Sequence, residues 1–384
     1  MKTAMKTVLV GIAGYGGRAF GNYLMENMDP HLTLEAVIDP FASKSIHYEA
    51  FKAACPIFDN FDAFFAAGHQ MEYAIITSPI HLHFEHCVTA LEHGAHVYCE
   101  KPLVPTMDEL NQLKAVLQQS GKTLSVGFQW CFSDVMQHLK QRVLSGALGK
   151  PKILKAVISW PRGDKYYHRN TWSGKIKTPN GQIINDSVLS NASSHHLQTM
   201  LYLLGEDMES SANLNDFAIE TYRANDIESF DTCFYRGAAG DATLYLAASH
   251  AVSSELEEGM CFEFEHATVR IDEIKTEGDC VIIYKDGTKE HLGKALREGL
   301  NNRVRYSVEI ALGMRDAICS VKTVTPITAF IDAVFQDLNT KNFPAALILR
   351  NPDLPQNYVK NLHKALLECY HSAELPSEKQ YTWA

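Results

Sequence analysis

An apolar run, Thr7 to Ala13, passes straight into Gly14-Tyr15-Gly16-Gly17-Arg18-Ala19, after which Phe20 to Met28 carries apolar residues at helical spacing. Strand, glycine turn and helix in such quick succession admit few folds. In this G-x-G-x-x-A pattern Gly14 permits the tight turn, Gly16 lets backbone N–H groups approach a pyrophosphate, and Ala19 keeps helix and strand close. The next apolar run, Leu34 to Ile38, ends in Asp39, about 25 residues after Gly14, where a dinucleotide fold holds its ribose-binding acid. A carboxylate there accepts from both ribose hydroxyls and repels a 2′-phosphate, which favours NAD over NADP, although Ser43 and Lys44 can reach a phosphate.

Tyr73 to Thr77 reads as a third strand leading into Ser78-Pro79. A helix follows from about Leu82 to His93, closed by Gly94. Then come a strand from His96 to Cys99, the tripeptide Glu100-Lys101-Pro102, a helix from about Thr106 to Ser120 and a strand from Thr123 to Phe128. Repeated β-α-β units imply a doubly wound parallel sheet. Pro102 pins its own φ and pushes Lys101 towards extended backbone, so the ammonium stands at the carboxyl end of a strand, where open α/β sheets bind ligands. Lys101 is read as the working residue. His81, His83 and His86 crowd one helix start, but no second cluster supplies further ligands at a recognisable spacing, so no metal is assigned. His83 is read as a helix-start residue near the cofactor.

With 384 residues and 46% hydrophobic content, the chain suits two domains, placed at 1–128 and 129–384. From about Pro151 the pattern changes to strands: Ile153 to Trp160, Ala218 to Arg223, Phe230 to Tyr235, Ala242 to Ala248, Cys261 to Ile271 and Val281 to Lys285. The expected second domain is α+β with a large, mostly antiparallel open sheet. One face of so wide a sheet needs covering by helices or a second subunit, so a homodimer or homotetramer through it is expected. Between the first strand and the rest lies an insertion with Trp160, Arg162, Tyr166, Tyr167, His168, Arg169, Asn170 and Trp172. Its aromatics either stack on a sugar while Arg and Asn bond the hydroxyls, or simply pack the insertion against the domain. A helix from about Asn191 to Leu204, ended by Gly205, would set Asn191 and His195 at i and i+4 on one face. Pro326 to Leu338 and about Gln356 to Ser372 read as amphipathic helices, with a break at Asn351-Pro352-Asp353.

A formal charge of −10 without a basic stripe argues against nucleic acid or an acidic membrane as partner. Nine scattered cysteines with no C-x-x-C pair indicate neither a disulfide framework nor a zinc cage. The first residues faintly resemble a secretory leader, yet the apolar run breaks into glycines, and no segment is apolar enough to span a bilayer. A cytoplasmic protein handling a small molecule is the expectation.

The first third resembles the Gfo/Idh/MocA family of NAD(P)-dependent oxidoreductases. The matching pieces are Gly14 to Ala19, Thr77-Ser78-Pro79-Ile80-His81-Leu82-His83, Gly94 to Pro102, Val126-Gly127-Phe128-Gln129 with Phe132, and Ser145-Gly146-Ala147-Leu148-Gly149 before the second domain. That resemblance implies an N-terminal Rossmann domain and a cofactor site of Gly14, Tyr15, Gly16, Gly17, Arg18, Asp39, Ser78, Pro79, His83, Glu100, Lys101 and Gln129. It implies that Lys101 sits beside the nicotinamide, orients the substrate oxygen and takes part in proton transfer. A lysine partly desolvated beside a cationic ring titrates lower, which suits the role. The family's Asp-x-x-x-His helix aligns with Asn191 and His195, making His195, not His196, the general acid or base. Arg162, Tyr167, Asn170, Trp172, Asp186, Asn191 and His195 join Lys101 as the expected substrate contacts.

Three departures stand out. Asn191 replaces the family acid, Asn185-Asp186-Ser187 replaces a glycine-rich lead-in, and Cys131 stands where arginine is frequent. Either His195 and Lys101 suffice, or Asp186 supplies a displaced carboxylate, or hydride transfer has been lost. The leading expectation is an NAD-dependent dehydrogenase acting on the CH–OH group of a sugar, sugar acid, glycoside or cyclitol. Its rivals are redox-neutral, NAD-dependent glycoside cleavage and a non-catalytic NAD-binding regulator.

Overall fold

Apolar runs without alternation belong in parallel sheets covered on both faces, and the first third of the chain uses them so. The computed structural model describes residues 4–26, 28–255, 259–272, 278–296, 299–351 and 355–384. Strands β1 (Met5–Val10), β2 (Leu32–Ile38), β3 (Ile57–Phe58), β4 (Tyr73–Ile76), β5 (His96–Cys99) and β6 (Leu124–Val126) pair in parallel in the order β3-β2-β1-β4-β5-β6. Reversal of direction on either side of β1 makes the sheet doubly wound. Helices α1 (Tyr15–Glu26), α2 (Tyr48–Ala54), α3 (Phe61–Ala66), α4 (His83–Glu92) and α5 (Met107–Ser120) lie between the strands in sequence. Local chemistry fixes their ends. Thr106 caps α5 by accepting the Glu109 N–H at 3.3 Å, and Gly94 and Gly121, at φ 79° and 63°, take the chain out of α4 and α5.

The second sheet has nine strands. They are β7 (Pro151–Ser159), β8 (Phe217–Arg223), β9 (Thr232–Ala239), β10 (Ala242–Ser249), β11 (Met260–Phe264), β12 (Ala267–Asp272), β13 (Asp279–Tyr284), β14 (Lys289–Lys294) and β15 (Thr340–Asn342), ordered β14-β13-β12-β11-β7-β10-β9-β8-β15. Neighbours run antiparallel except β7 beside β10 and β15 beside β8. The remaining elements are α6 (Asp134–Leu144), the single turn α7 (Asp164–Tyr167), α8 (Ser194–Leu203), α9 (Gly299–Ala311), α10 (Val321–Gln336), the hairpin β16 (Ile348–Asn351) and β17 (Gln356–Val359), and α11 (Leu362–Ser372). Leu362, Leu366 and Cys369 of α11 share one core with Val157, Tyr245 and Ala247 of β7 and β10, so this chain itself covers part of the sheet. Among the described residues no helix is long and apolar enough to cross a membrane.

Several expected boundaries move. The chain divides into residues up to Phe132 with Gly299–Thr325, and the rest, instead of at 128/129. The cause is α9, whose Val304 and Val308 are fully buried in one core with Leu9, Phe20 and Tyr98, while Ser307 Oγ meets Tyr73 Oη at 2.6 Å. The single strand expected from Cys261 to Ile271 is the hairpin β11–β12, turned at the exposed polar pair Glu265-His266. The helix expected from Gln356 begins only at Leu362, because 356–359 pairs with β16 and Asn361 adopts φ 62°. Pro326 lies inside α10 instead of opening it. Asn351 ends β16, and Pro352 and Asp353 lie outside the described residues.

Candidate active site

The glycine turn is organised by contacts that tolerate no side chain. A Cβ on Gly17 would fall 1.8 Å from the Ile12 carbonyl oxygen, and one on Gly11, at φ 89°, would fall 2.7 Å from the Ser78 backbone. Gly14 meets nothing within 4 Å, so the tight position is Gly17 and not the expected Gly14. Asp39, 7% exposed, binds the same loop: Oδ2 accepts the Ile12 and Ala13 N–H groups at 2.6 and 2.7 Å, and Oδ1 accepts that of Phe41 at 2.8 Å. A carboxylate offers about four acceptor positions, so capacity for a ribose hydroxyl remains. Helix α1 starts at Tyr15 with no acid in its first turn, which leaves its N-terminus suited to a phosphate. These features fit NAD. The side chains of Tyr15 and Arg18, and the surroundings of Gly16, lie outside the described residues.

Lys101 follows β5 and is half-buried. Its neighbours are fixed from two directions. Glu100 Oε1 meets Arg303 Nη1 of α9 at 2.8 Å and accepts the Tyr98 hydroxyl at 3.1 Å. Gly127 lets the chain pass close by, since a Cβ there would lie 2.7 Å from Tyr98 Oη and 3.1 Å from Glu100 Cα. On the other side His83, 1% exposed, bridges two carbonyls, with Nδ1 2.9 Å from Pro102 O and Nε2 2.8 Å from Ser78 O. Burial lowers its pKa, while the two carbonyls act in the opposite sense. Ser78 Oγ meets His86 Nδ1 at 2.9 Å, and burial first, then the neighbouring histidines, takes His86 down to about 4. Pro79 precedes the 3₁₀ turn Ile80–Leu82, and half-buried Gln129 opens another at Gln129–Phe132. Ser78, His83 and the Lys101-Pro102 segment thus form one bonded unit.

In the second domain, half-buried His195 is the second residue of α8, while His196 is fully buried with its ring 5.6 Å from Trp160. Asn191 does not share that helix. It lies in a π turn, Val188–Ala192, and the expected i, i+4 face is interrupted. The reason is the serine run: Ser187 and Ser190 cap each other, and both the N–H and the hydroxyl of Ser193 bond to Val188 O at 2.8 Å. The turn hands Asn191 to an acid, its Nδ2 donating to Asp186 Oδ1 at 2.9 Å. Asp186, 2% exposed, also accepts the Gly174 N–H at 2.6 Å. In the insertion, Asn170 Oδ1 accepts from Trp172 N and Ser173 N, which leaves only its amide nitrogen for a ligand. Arg169 lies 3.9 Å from the Tyr166 centroid and 5.7 Å from that of Trp172, and Arg162 5.2 Å from Tyr166. Tyr167 Oη is buried without a partner.

Some structural residues gave no local signal. Arg303 and His250 are examples; Gly11 was passed over inside the apolar run Thr7 to Ala13, although a glycine late in such a run is a signal that could have marked it.

A doubly wound sheet with a glycine turn, a buried acid after β2 and a lysine after β5 defines a nucleotide-binding Rossmann domain. Residues 5–128, about a third of the chain, match the model of the Gfo/Idh/MocA oxidoreductase family, described as an NAD-binding Rossmann fold. The chain is 25% identical over 222 residues to D-glucoside 3-dehydrogenase of Escherichia coli, covering 56% of this chain and 60% of that one. It is 28% identical over 146 residues to inositol 2-dehydrogenase of Burkholderia multivorans, covering 38% and 39%. The matched stretches thus span three-fifths or less of these relatives. The fold is also that of the WlbA dehydrogenase of Bordetella pertussis, solved with NADH and UDP-GlcNAcA: TM-score 0.70, 18% identity, 87% of this chain and 96% of that one.

Proposed function

We propose that the protein is an NAD-dependent oxidoreductase that moves a hydride between nicotinamide and a hydroxyl-bearing carbon of a sugar, sugar acid, glycoside or cyclitol. The observation that carries this reading is Lys101, which follows β5 of an NAD-binding fold between two anchored neighbours, Glu100 and Pro102. Bound NAD supplies the hydride acceptor or donor. The Lys101 ammonium, with three N–H donors, holds the substrate oxygen and offsets negative charge developing there. His195 takes or returns the hydroxyl proton, imidazole being suited to both near neutral pH. Asp186 supplies the carboxylate that Asn191 cannot, a reading supported by the bond between them. Asp39 selects NAD over NADP by repelling a 2′-phosphate. The partial likeness to a glucoside dehydrogenase and an inositol dehydrogenase supports a polyol substrate.

Lys101→Met tests it. With a panel of glycosides, uronic acids and inositols, wild type should generate reduced nicotinamide absorbance with at least one substrate, and the variant should not, while binding NAD with unchanged affinity. Full activity in the variant would sink the mechanism. We further propose that copies associate through the large sheet; sedimentation of a monomer at micromolar concentration would overturn this.

A further inference from the structure

His83 stands between two hydrogen-bond partners that its neutral ring cannot satisfy together. The residue is 1% exposed, with Nδ1 2.9 Å from Pro102 O and Nε2 2.8 Å from Ser78 O. Carbonyl oxygens only accept, and a neutral imidazole has a single N–H, so one of its nitrogens would point a lone pair at an oxygen. Both bonds form at once only when both nitrogens carry a proton. His86 makes the contrast: its Nδ1 meets the Ser78 hydroxyl at 2.9 Å, and a hydroxyl can donate to a neutral ring. The two carbonyls belong to different segments. Ser78 follows β4 and Pro102 follows β5, and these strands are parallel neighbours, so both segments lie at the carboxyl end of the sheet. The proton count of one ring thus decides whether one or both of them are held.

The groups around the ring set when the second proton is present. Burial pulls the His83 pKa below the ordinary histidine value, against upward pulls from the Pro102 and Ser78 carbonyls, the Glu100 carboxylate and the Leu103 backbone. Glu100 is itself held by Arg303 of α9, which lessens its pull. His81 and His86 oppose a charge on His83, and burial first, then His83, lowers the pKa of each. Cys99, at the end of β5, bonds Cys87, one helical turn along α4 from His83, and burial pushes the Cys99 thiol up, so it adds no charge. At neutral pH the unliganded ring therefore keeps one proton and one carbonyl. A ligand that needs both segments in place draws the second proton back.

We infer that His83 is a positioning residue that clamps the Ser78 and Lys101-Pro102 segments together when a nicotinamide nucleotide binds, and that it takes up a proton to do so. The inference rests on the proposed function for what the clamp positions, namely Lys101. The experiment is isothermal titration of the full chain with NADH, whose neutral ring does not oppose an imidazolium, in buffers of different ionisation enthalpy from about pH 8 down to about pH 6. Binding should take up as much as about one proton as the pH falls through the histidine range, so affinity should gain up to about tenfold per pH unit. His83→Gln keeps amide donors but cannot titrate, and should bind NADH with neither proton uptake nor pH dependence. His81→Gln and His86→Gln should keep both. Proton-neutral binding by the wild type, uptake that survives in His83→Gln, or uptake lost in His81→Gln or His86→Gln overturns the inference, and the first and last of these need no folded His83 variant. None of the readings uses turnover. Uptake traced to His83 in a chain that oxidises no sugar would sink the dehydrogenase reading alone, and proton-neutral binding beside sugar-dependent nicotinamide reduction would sink the clamp alone.

Discussion

Two segments that carry the candidate chemistry are each tied down by an arginine from far along the chain, and the two ties share little beyond the bond type. Glu100, next to Lys101, meets Arg303 at 2.8 Å with side chains only 9% and 2% exposed. Asp164, at the head of the insertion, meets both Nη atoms of Arg350 with side chains 44% and 47% exposed. By geometry alone the second is the better bond, being bidentate. By environment it is the weaker one, because water and salt solvate both ions whether or not they touch. Burial therefore separates a tie that fixes the backbone at Lys101 from one that only biases the position of a surface loop.

The comparison breaks most sharply at Arg303. Arg303→Met should lower unfolding stability by about 3–5 kcal/mol, the usual result of leaving one buried charge without its partner. Urea unfolding followed by circular dichroism measures it. Adding Glu100→Gln to the same chain should recover much of the loss, since the uncompensated carboxylate is then gone. An unchanged midpoint in Arg303→Met would mean that the buried pair is not what anchors Glu100.

Asp39→Asn comes next in size. The native carboxylate accepts three backbone N–H groups, two of them from the glycine loop. An amide has one acceptor oxygen, so whichever way it turns its NH₂ faces a donor. NAD affinity should fall by about tenfold or more, as expected for lost hydrogen bonds to a charged group. Discrimination against NADP should shrink with it. Fluorescence titration with both nucleotides reads the two effects, and unaltered affinity for NAD would show that the acid shapes neither the loop nor the site.

The same contrast explains what a reader of the sequence can see. In the first domain residue type is dictated by the local backbone: a glycine where a Cβ would strike Ile12 O, a glycine at positive φ after α4, an acid after β2, a lysine before proline. Such demands repeat at short spacing and are legible in order, even though the tight glycine proved to be Gly17. Arg303 shows the opposite case. It reaches Glu100 across two hundred residues of sequence, and nothing around it marks the contact. In the second domain the same holds for His250 and for the Asp186–Asn191 bond, which depends on a π turn set by three serines, Ser187, Ser190 and Ser193, whose side chains compete with the helical ladder. The broad sheet was legible from strand composition, whereas the β11–β12 turn was not, because Glu265-His266 carries no strong turn signal, and β14 was not, because its polar residues lack strand character even though Asp286-Gly287 before it marks a hairpin turn.

The smallest effect is expected at Arg350, and it is the one that tests whether burial is the right divider. Arg350→Ala removes a bidentate partner from Asp164, yet the freed carboxylate is already in water and needs no replacement. The α7 turn keeps a second hold, because Asp164 N–H donates to Pro355 O at 2.8 Å, and Gly163 admits that approach: a Cβ there would lie 2.4 Å from the same oxygen. The urea midpoint should therefore stay within experimental scatter of wild type. Whatever small difference appears at low ionic strength should vanish at high salt, where exposed charges are screened. A loss comparable with that of Arg303→Met, persisting in salt, would show that bond geometry outweighs solvation in this molecule. The insertion would then have to be regarded as held as rigidly as the Lys101 segment, by a charge that water alone does not satisfy.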